Sequence, residues 1–279
     1  MRRVVTTTGD LEPDQQPRRW DDHVPLYEEV FEPLTQGFSA AAIDILAPKP
    51  ESRVLDSGAG SGGAALELAQ RGHIVTAIDA STAMVARIKE RASAAGLMIE
   101  ALTMDGQELA FSDASFDAAL SVLGVILFPD AVRGLSELRR VVRPGGRIAL
   151  VTWTAPEAYE LMGELRTAAL SVLGTLPARP LPAQLRFKER EEFQALFTAA
   201  GLPTAEISEV TAELVAPSPA WLAERLGFAP GMAAFVDGCG AAKPKVIAAF
   251  RSRLEATRGA HRISLVGRAF VGSVAVTHR

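Results

Sequence analysis

Between Val54 and Trp153 the chain repeats one rhythm: a short apolar segment, a turn rich in glycine or aspartate, then a longer segment apolar on one face. The short segments are Val54–Leu55, Ile74–Ile78, Met98–Met104, Phe116–Leu123 and Arg147–Trp153. The first longer one, Ala64 to Arg71, is closed by Gly72. Ser81 caps the second, which aligns Met84, Ile88, Ala92 and Ala95 before Gly96. Leu135, Leu138 and Val142 mark a third, ended by Arg143-Pro144-Gly145-Gly146. Strands separated by helices cannot pair as hairpins, so the rhythm predicts βαβ units: an α/β, Rossmann-like, doubly wound and mostly parallel sheet. Ligands of such sheets bind beyond the carboxyl ends of the strands. That rule sets the glycine loop, Asp79, Asp105, Ser121 and Trp153 along one rim.

The flanks read differently. Residues 1–19 are rich in Thr, Asp, Gln and Pro with little periodicity, and predict a flexible tail. Residues 20–279 are expected to form one domain, with 20–47 as a helical N-terminal cover and 217–258 as a helical insertion or lid before the last strand. The 48% hydrophobic content supplies one substantial core. No apolar run reaches the roughly 20 residues of a spanning helix, and the start is polar, so the chain is expected to be cytoplasmic, without a membrane partner. A net charge of −4 carries no footprint for nucleic acid. One cysteine, Cys239, and no cluster of ligands at metal spacing predict no metal. The expected partner is a small molecule, with the protein a monomer or homodimer.

The loop after the first strand, "DSGAGSGG", lets backbone approach a ligand and opens a helix whose free N–H groups face it. Gly58, Gly60 and Gly63 satisfy the dinucleotide pattern, with Asp79 at the distance of a ribose-binding acid, so an NAD(P)-dependent oxidoreductase stands as an alternative. Against it, Asp56 lies two positions before the first glycine, where a carboxylate would repel a diphosphate. Asp105 adds a further acid at the third strand's end, and neither tyrosine is followed by lysine four residues later.

"VLDSGAGSGGAALELA", "VTAIDAS", "MDGQELAFSDASFDAALSVLGVILFPD" and "ELRRVVRPGGRIALVTW" resemble, in order, the successive motifs of class I S-adenosylmethionine-dependent methyltransferases, in the style of those of quinone biosynthesis and their small-molecule relatives. The resemblance implies a seven-stranded sheet with the last strand antiparallel, and S-adenosyl-L-methionine as cofactor, leaving as S-adenosyl-L-homocysteine. By position, it implies Gly58, Gly60 and Gly62 along the methionine part, with Asp56 near its ammonium or supporting the loop. Asp79, beside Ala80, would take the ribose hydroxyls; Met84 would touch the adenine, and Asp105 and Gly106 would meet its edge. Ser121 and Val122 would lie beneath the methionine. Ala59 departs from the family, which often has cysteine there.

A sulfonium methyl is already electrophilic, so the expected reaction is in-line displacement onto an apolar or aromatic small molecule, and a base is optional. Its candidates are His23 and Tyr27, one turn apart on the leading helix. Trp20, Trp153, Trp221 and Phe228 are candidates for the acceptor pocket. A non-catalytic adenosylmethionine-binding protein is the other alternative, because "SVLGVILFPD" offers no obvious catalytic group beside the methyl.

Overall fold

A computed structural model describes residues 11–155, 159–176 and 182–277. Seven strands form one sheet: β1 (Arg53–Ser57), β2 (Ile74–Asp79), β3 (Ile99–Thr103), β4 (Phe116–Val122), β5 (Val142–Trp153), β6 (Glu206–Ala216) and β7 (Ile263–Ala275). Their order is β3-β2-β1-β4-β5-β7-β6. The first five run parallel, and β7 is antiparallel to both β5 and β6. This is the doubly wound sheet the alternation predicts.

The helices are α1 (Pro17–Asp21), α2 (Val24–Leu26), α3 (Glu32–Leu46), α4 (Gly63–Gln70), α5 (Thr82–Ala95), α6 (Ala131–Val141), α7 (Glu160–Leu173), α8 (Arg190–Ala199), α9 (Pro219–Ala223), α10 (Pro230–Asp237) and α11 (Lys243–Arg258). None of the described helices is long and apolar enough to cross a membrane.

Side-chain alternation along the strands splits the core between the two faces of the sheet. Val54, Val75, Ala118, Leu120 and Val151 face Phe38, Leu68, Leu165 and Phe250. Leu55, Ile78, Ala119 and Leu150 face Leu135, Leu138, Phe193 and Phe197. Ser81 caps α5 as its position predicts, its hydroxyl accepting from Met84 N at 3.2 Å, and Gly96 ends that helix with φ 66°.

Two segments depart from expectation. β5 begins at Val142, directly after α6, five residues earlier than its apolar run suggests, because the Pro144-Gly145-Gly146 stretch is taken into the start of this interior strand. There Gly145 N donates to Val276 O at 2.8 Å, and the β4–β5 register shifts between Phe116 and Ala118. The N-terminal cover is helical, as expected, but broken into short pieces. Pro25 and Pro33 each occupy a first turn, and a π-helical turn over Tyr27–Phe31 sits between them. A proline supplies no N–H, so each forces a restart, and the widened turn absorbs the mismatch.

Of the expected tail, residues 1–10 lie outside the described residues, but 11–19 are folded onto the body. A 3₁₀ turn over Pro13–Gln15 leads into α1, and Asp14 Oδ1 accepts from Gly231 N at 2.6 Å. Asp21 completes the attachment at the start of α5, accepting from Ser81 Oγ at 2.6 Å and Ala83 N at 3.1 Å. These partners are distant in sequence, which is why composition alone read this strap as loose.

Candidate active site

The loop from β1 to α4 is tied inward. Gly58 N and Ala59 N both donate to Ile78 O at 2.9 Å, and Gly60 N donates to Asp79 Oδ2 at 2.9 Å. Asp79 Oδ1 accepts from Ser81 N at 2.8 Å. Loss of bulk water pushes the Asp79 carboxyl above its usual range, against the pull of these N–H groups. Three backbone N–H groups that a diphosphate would need are therefore spent, and a carboxylate stands at the loop's mouth. This geometry does not suit the dinucleotide reading.

The loop borders a cavity of about 1280 Å³, larger than the roughly 300–1,000 Å³ of a typical single-ligand site. One end is polar: Gly58, Gly60, Asp79, Ala80, Asp105 and Gly106 line it, with Met84 and Val122 as its apolar wall. Met84 is 1% exposed. Asp105 accepts from Gln107 N at 2.8 Å and from its side-chain amide at 3.0 Å. The other end is aromatic. Phe31 stacks on Phe228 (centroids 5.1 Å apart, 19° between planes), and Trp153 stacks on Tyr159 (4.7 Å, 25°). Trp20 and Tyr27 meet edge to face at 5.9 Å where the two ends join, and the Tyr27 hydroxyl lies against Gly60. Trp20, Trp153 and Phe228 line the cavity.

Five predicted residues are not among those that line it. Asp56 is 1% exposed within the loop's base, its carboxyl facing the Ala65 N–H of α4, with Oδ2 unpartnered. Burial and the neighbouring Asp79 raise its pKa to about 7. It supports the loop and does not face the ligand space. Gly62 turns toward α5, since a Cβ there would lie 2.9 Å from Ile88 Cγ1. The Ser121 hydroxyl is spent on backbone, donating to Ser57 O at 2.7 Å and accepting from Val125 N at 3.0 Å. Trp221 packs under the Arg225 guanidinium, 4.6 Å from its centroid. His23 Nδ1 pairs with Arg19 O at 2.6 Å. Tyr27 does line the cavity, but burial pushes its phenol well above the usual range, so it is a neutral wall and not a base.

Several site residues had no signal in the motifs. Asp14 lines the cavity from the strap; Phe31 and Tyr159 complete the aromatic end. Gly106 owes its place to Phe128, because a Cβ there would lie 2.4 Å from the ring. Behind the loop, Glu32 Oε1 accepts from Ser61 Oγ at 2.9 Å and from Arg91 Nη1 at 2.6 Å, and Arg91 also donates to Ser61 O at 3.0 Å. This buried triad binds α3, the glycine loop and α5 together. Its members lie 29 and 30 residues apart on different elements, so no local pattern in the sequence joins them. Among the described residues there is no group of three or more His, Cys, Asp or Glu placed to hold a metal.

Residues 55–150 match a family described as a methyltransferase domain, and the sheet order and the site at its rim agree with it. Residues 55–150 thus carry a methyltransferase domain of that family. An uncharacterized protein of Mycobacterium tuberculosis is 35% identical over 161 residues, 57% of each chain. A demethylmenaquinone methyltransferase of Beutenbergia cavernae is 35% identical over 151 residues, 53% of this chain and 61% of its own. The chain thus spans little more than half the length of the curated relatives it matches. Among solved structures, the [4+2]-cyclase SpnF has the same fold, with a TM-score of 0.61, 21% identity and coverage of 96% of this chain and 98% of its own. Phosphoethanolamine N-methyltransferase 2 of Haemonchus contortus, solved with S-adenosylhomocysteine, gives a TM-score of 0.58 at 18% identity over 94% of this chain and 60% of its own.

Proposed function

We propose that this protein transfers the methyl group of S-adenosylmethionine to a small apolar or aromatic acceptor. The observation that carries the reading is the single continuous cavity whose polar end is built by the family's motifs and whose other end is aromatic. The residues present suit the cofactor. Asp79 and Asp105 are acceptors for hydroxyl and amine donors, Met84 gives an apolar face, and the inward-tied glycine backbone leaves room without offering an anion site. When bound, that cofactor supplies a methyl made electrophilic by its sulfonium.

The chain's own work is then alignment and exclusion of water, which can lower a barrier by about 7–11 kcal/mol without a strong base. The strap over residues 11–31 and the helix α10 border the cavity; Phe31, Trp153 and Phe228 would hold a flat acceptor against the polar end. A shared fold does not fix a reaction, and a cyclase has this one, so the test must read the methyl itself. Incubation with methyl-labelled adenosylmethionine and an extract of small metabolites should move label into an extractable product. Adenosylhomocysteine at about 100 times its Kd should also stabilise the fold by about 2.7 kcal/mol. Stabilisation without label transfer would leave a binder only, and a thermal shift with NADH alone would overturn the reading.

A further inference from the structure

Of the carboxylates in the cavity wall, Glu12 and Asp14 belong to none of the motif positions, and Asp14 is the one tied to α10. It sits on the strap, with Oδ1 accepting from Gly231 N at the start of α10 (2.6 Å). The indole N–H of Trp20 donates to its backbone oxygen at 2.9 Å, which fixes an electron-rich ring beside it. Tyr27 lies edge-on to that indole at 5.9 Å. No lysine or arginine forms an ion pair with Asp14 among the described residues. The charged groups around it do little to compensate. Glu12 on the same strap repels, and His23 attracts weakly. Arg19, also in the wall, directs its Nε to Gln16 at 3.1 Å, and Arg166 lines the cavity without pairing to Asp14.

Asp14 is half-buried on the wall of a largely apolar cavity, where a carboxylate is stabilised by a cation, and among the described residues none pairs with it. Aromatic faces beside a carboxylate are the chemistry that recognises an ammonium. We propose that the acceptor carries a protonated nitrogen on an apolar, ring-bearing body, and that Asp14 and Trp20 seat this nitrogen while the body fills the aromatic end. The inference rests on the methyltransferase reading of the same cavity and names a recognition group, leaving the methyl-accepting atom open. Desolvation lifts the Asp14 pKa to about 6, in keeping with a carboxylate that lacks its counter-ion. The cofactor's own ammonium is the other source of positive charge, so the test separates the two.

With adenosylhomocysteine-saturated protein at pH 7.5, the affinity of 4-phenylbutylamine is compared with that of 4-phenylbutan-1-ol by calorimetry, in the natural chain and in Asp14→Asn. The amide can still accept from Gly231 N, so the strap stays docked, and a thermal midpoint of apo Asp14→Asn no lower than that of the natural chain checks this. The amine should bind at least tenfold tighter than the alcohol, and the substitution should bring the two within about twofold while adenosylhomocysteine affinity is unchanged. Equal binding of amine and alcohol, or binding of neither, overturns the proposal. Loss of adenosylhomocysteine affinity in Asp14→Asn assigns the carboxylate to the cofactor and overturns it as well. Failure of the natural chain to bind adenosylhomocysteine refutes the cofactor reading beneath it.

Discussion

The amide of Gly60 donates to the carboxylate of Asp79 across 2.9 Å, joining the glycine loop to the end of the neighbouring strand. A residue expected to serve only a ligand therefore also holds the loop that shapes the site. Because its second oxygen accepts from Ser81 N at 2.8 Å, Asp79 sets the start of α5 too.

Asp79→Ala should accordingly do two things. It strands two N–H groups, each worth roughly 1–3 kcal/mol when left unsatisfied, so the thermal midpoint should drop by several degrees. It should also weaken adenosylhomocysteine binding at least tenfold. Calorimetry on the folded variant separates the effects, and unchanged affinity would remove Asp79 from the ligand site.

The sheet was legible because each strand–helix unit carries its own periodic signal and end signals, as with Ser81 and Gly96 around α5. What a motif position could not convey is direction. Asp56, Gly62 and Ser121 belong to the expected pattern, yet their side chains or open faces turn toward Ala65, Ile88 and Ser57. The strap was hidden for another reason. Asp14 and Asp21 gain order from Gly231, Ser81 and Ala83, at separations of 217, 60 and 62 residues, which no local window sees. Aromatic residues divided by packing: Trp153 faces the cavity, while Trp221 is shielded by an arginine one turn away.

Gly58 and Gly72 make a matched pair. Both have φ in the left-handed region, 69° and 87°, but a Cβ at Gly58 would lie 2.8 Å from Gly124 Cα, whereas one at Gly72 meets nothing within 4 Å. Backbone cannot swing aside as a side chain can. Gly58→Ala should cost about 2–4 kcal/mol, strain plus overpacking, and Gly72→Ala about 1 kcal/mol. Denaturant unfolding measures both. Equal losses would mean that the loop does not press on Gly124 as described.

The Glu32–Arg91 pair should be worth more than the surface ion pairs, since Glu32 is buried and Arg91 also braces the Ser61 carbonyl. Removing one partner of a buried pair typically costs about 3–5 kcal/mol. Arg91 keeps 20% of its side chain exposed, and that contact with water lowers the expectation for Glu32→Ala to about 2–4 kcal/mol. The double variant with Arg91→Met should lose less than the sum of the single changes. Additive losses would show that the triad is not coupled.

Asp56 makes stability depend on pH with a defined sign. Its folded pKa, raised to about 7 from 3.8, means that the folded protein holds a proton which the unfolded chain has already released. This contribution is complete below about pH 4 and falls as pH rises toward 7, at about 1.4 kcal/mol per pH unit. Asp56→Asn stays neutral throughout and keeps an oxygen for the Ala65 N–H. Its thermal midpoint should therefore gain on that of the natural chain between pH 5 and pH 8 and run parallel to it above pH 8, the total gain being on the order of 1–3 kcal/mol once relaxation is allowed for. Differential scanning calorimetry at pH 5, 6.5, 8 and 9 reads the trend directly, and a constant gap across the series would show that Asp56 is already ionised in the folded protein.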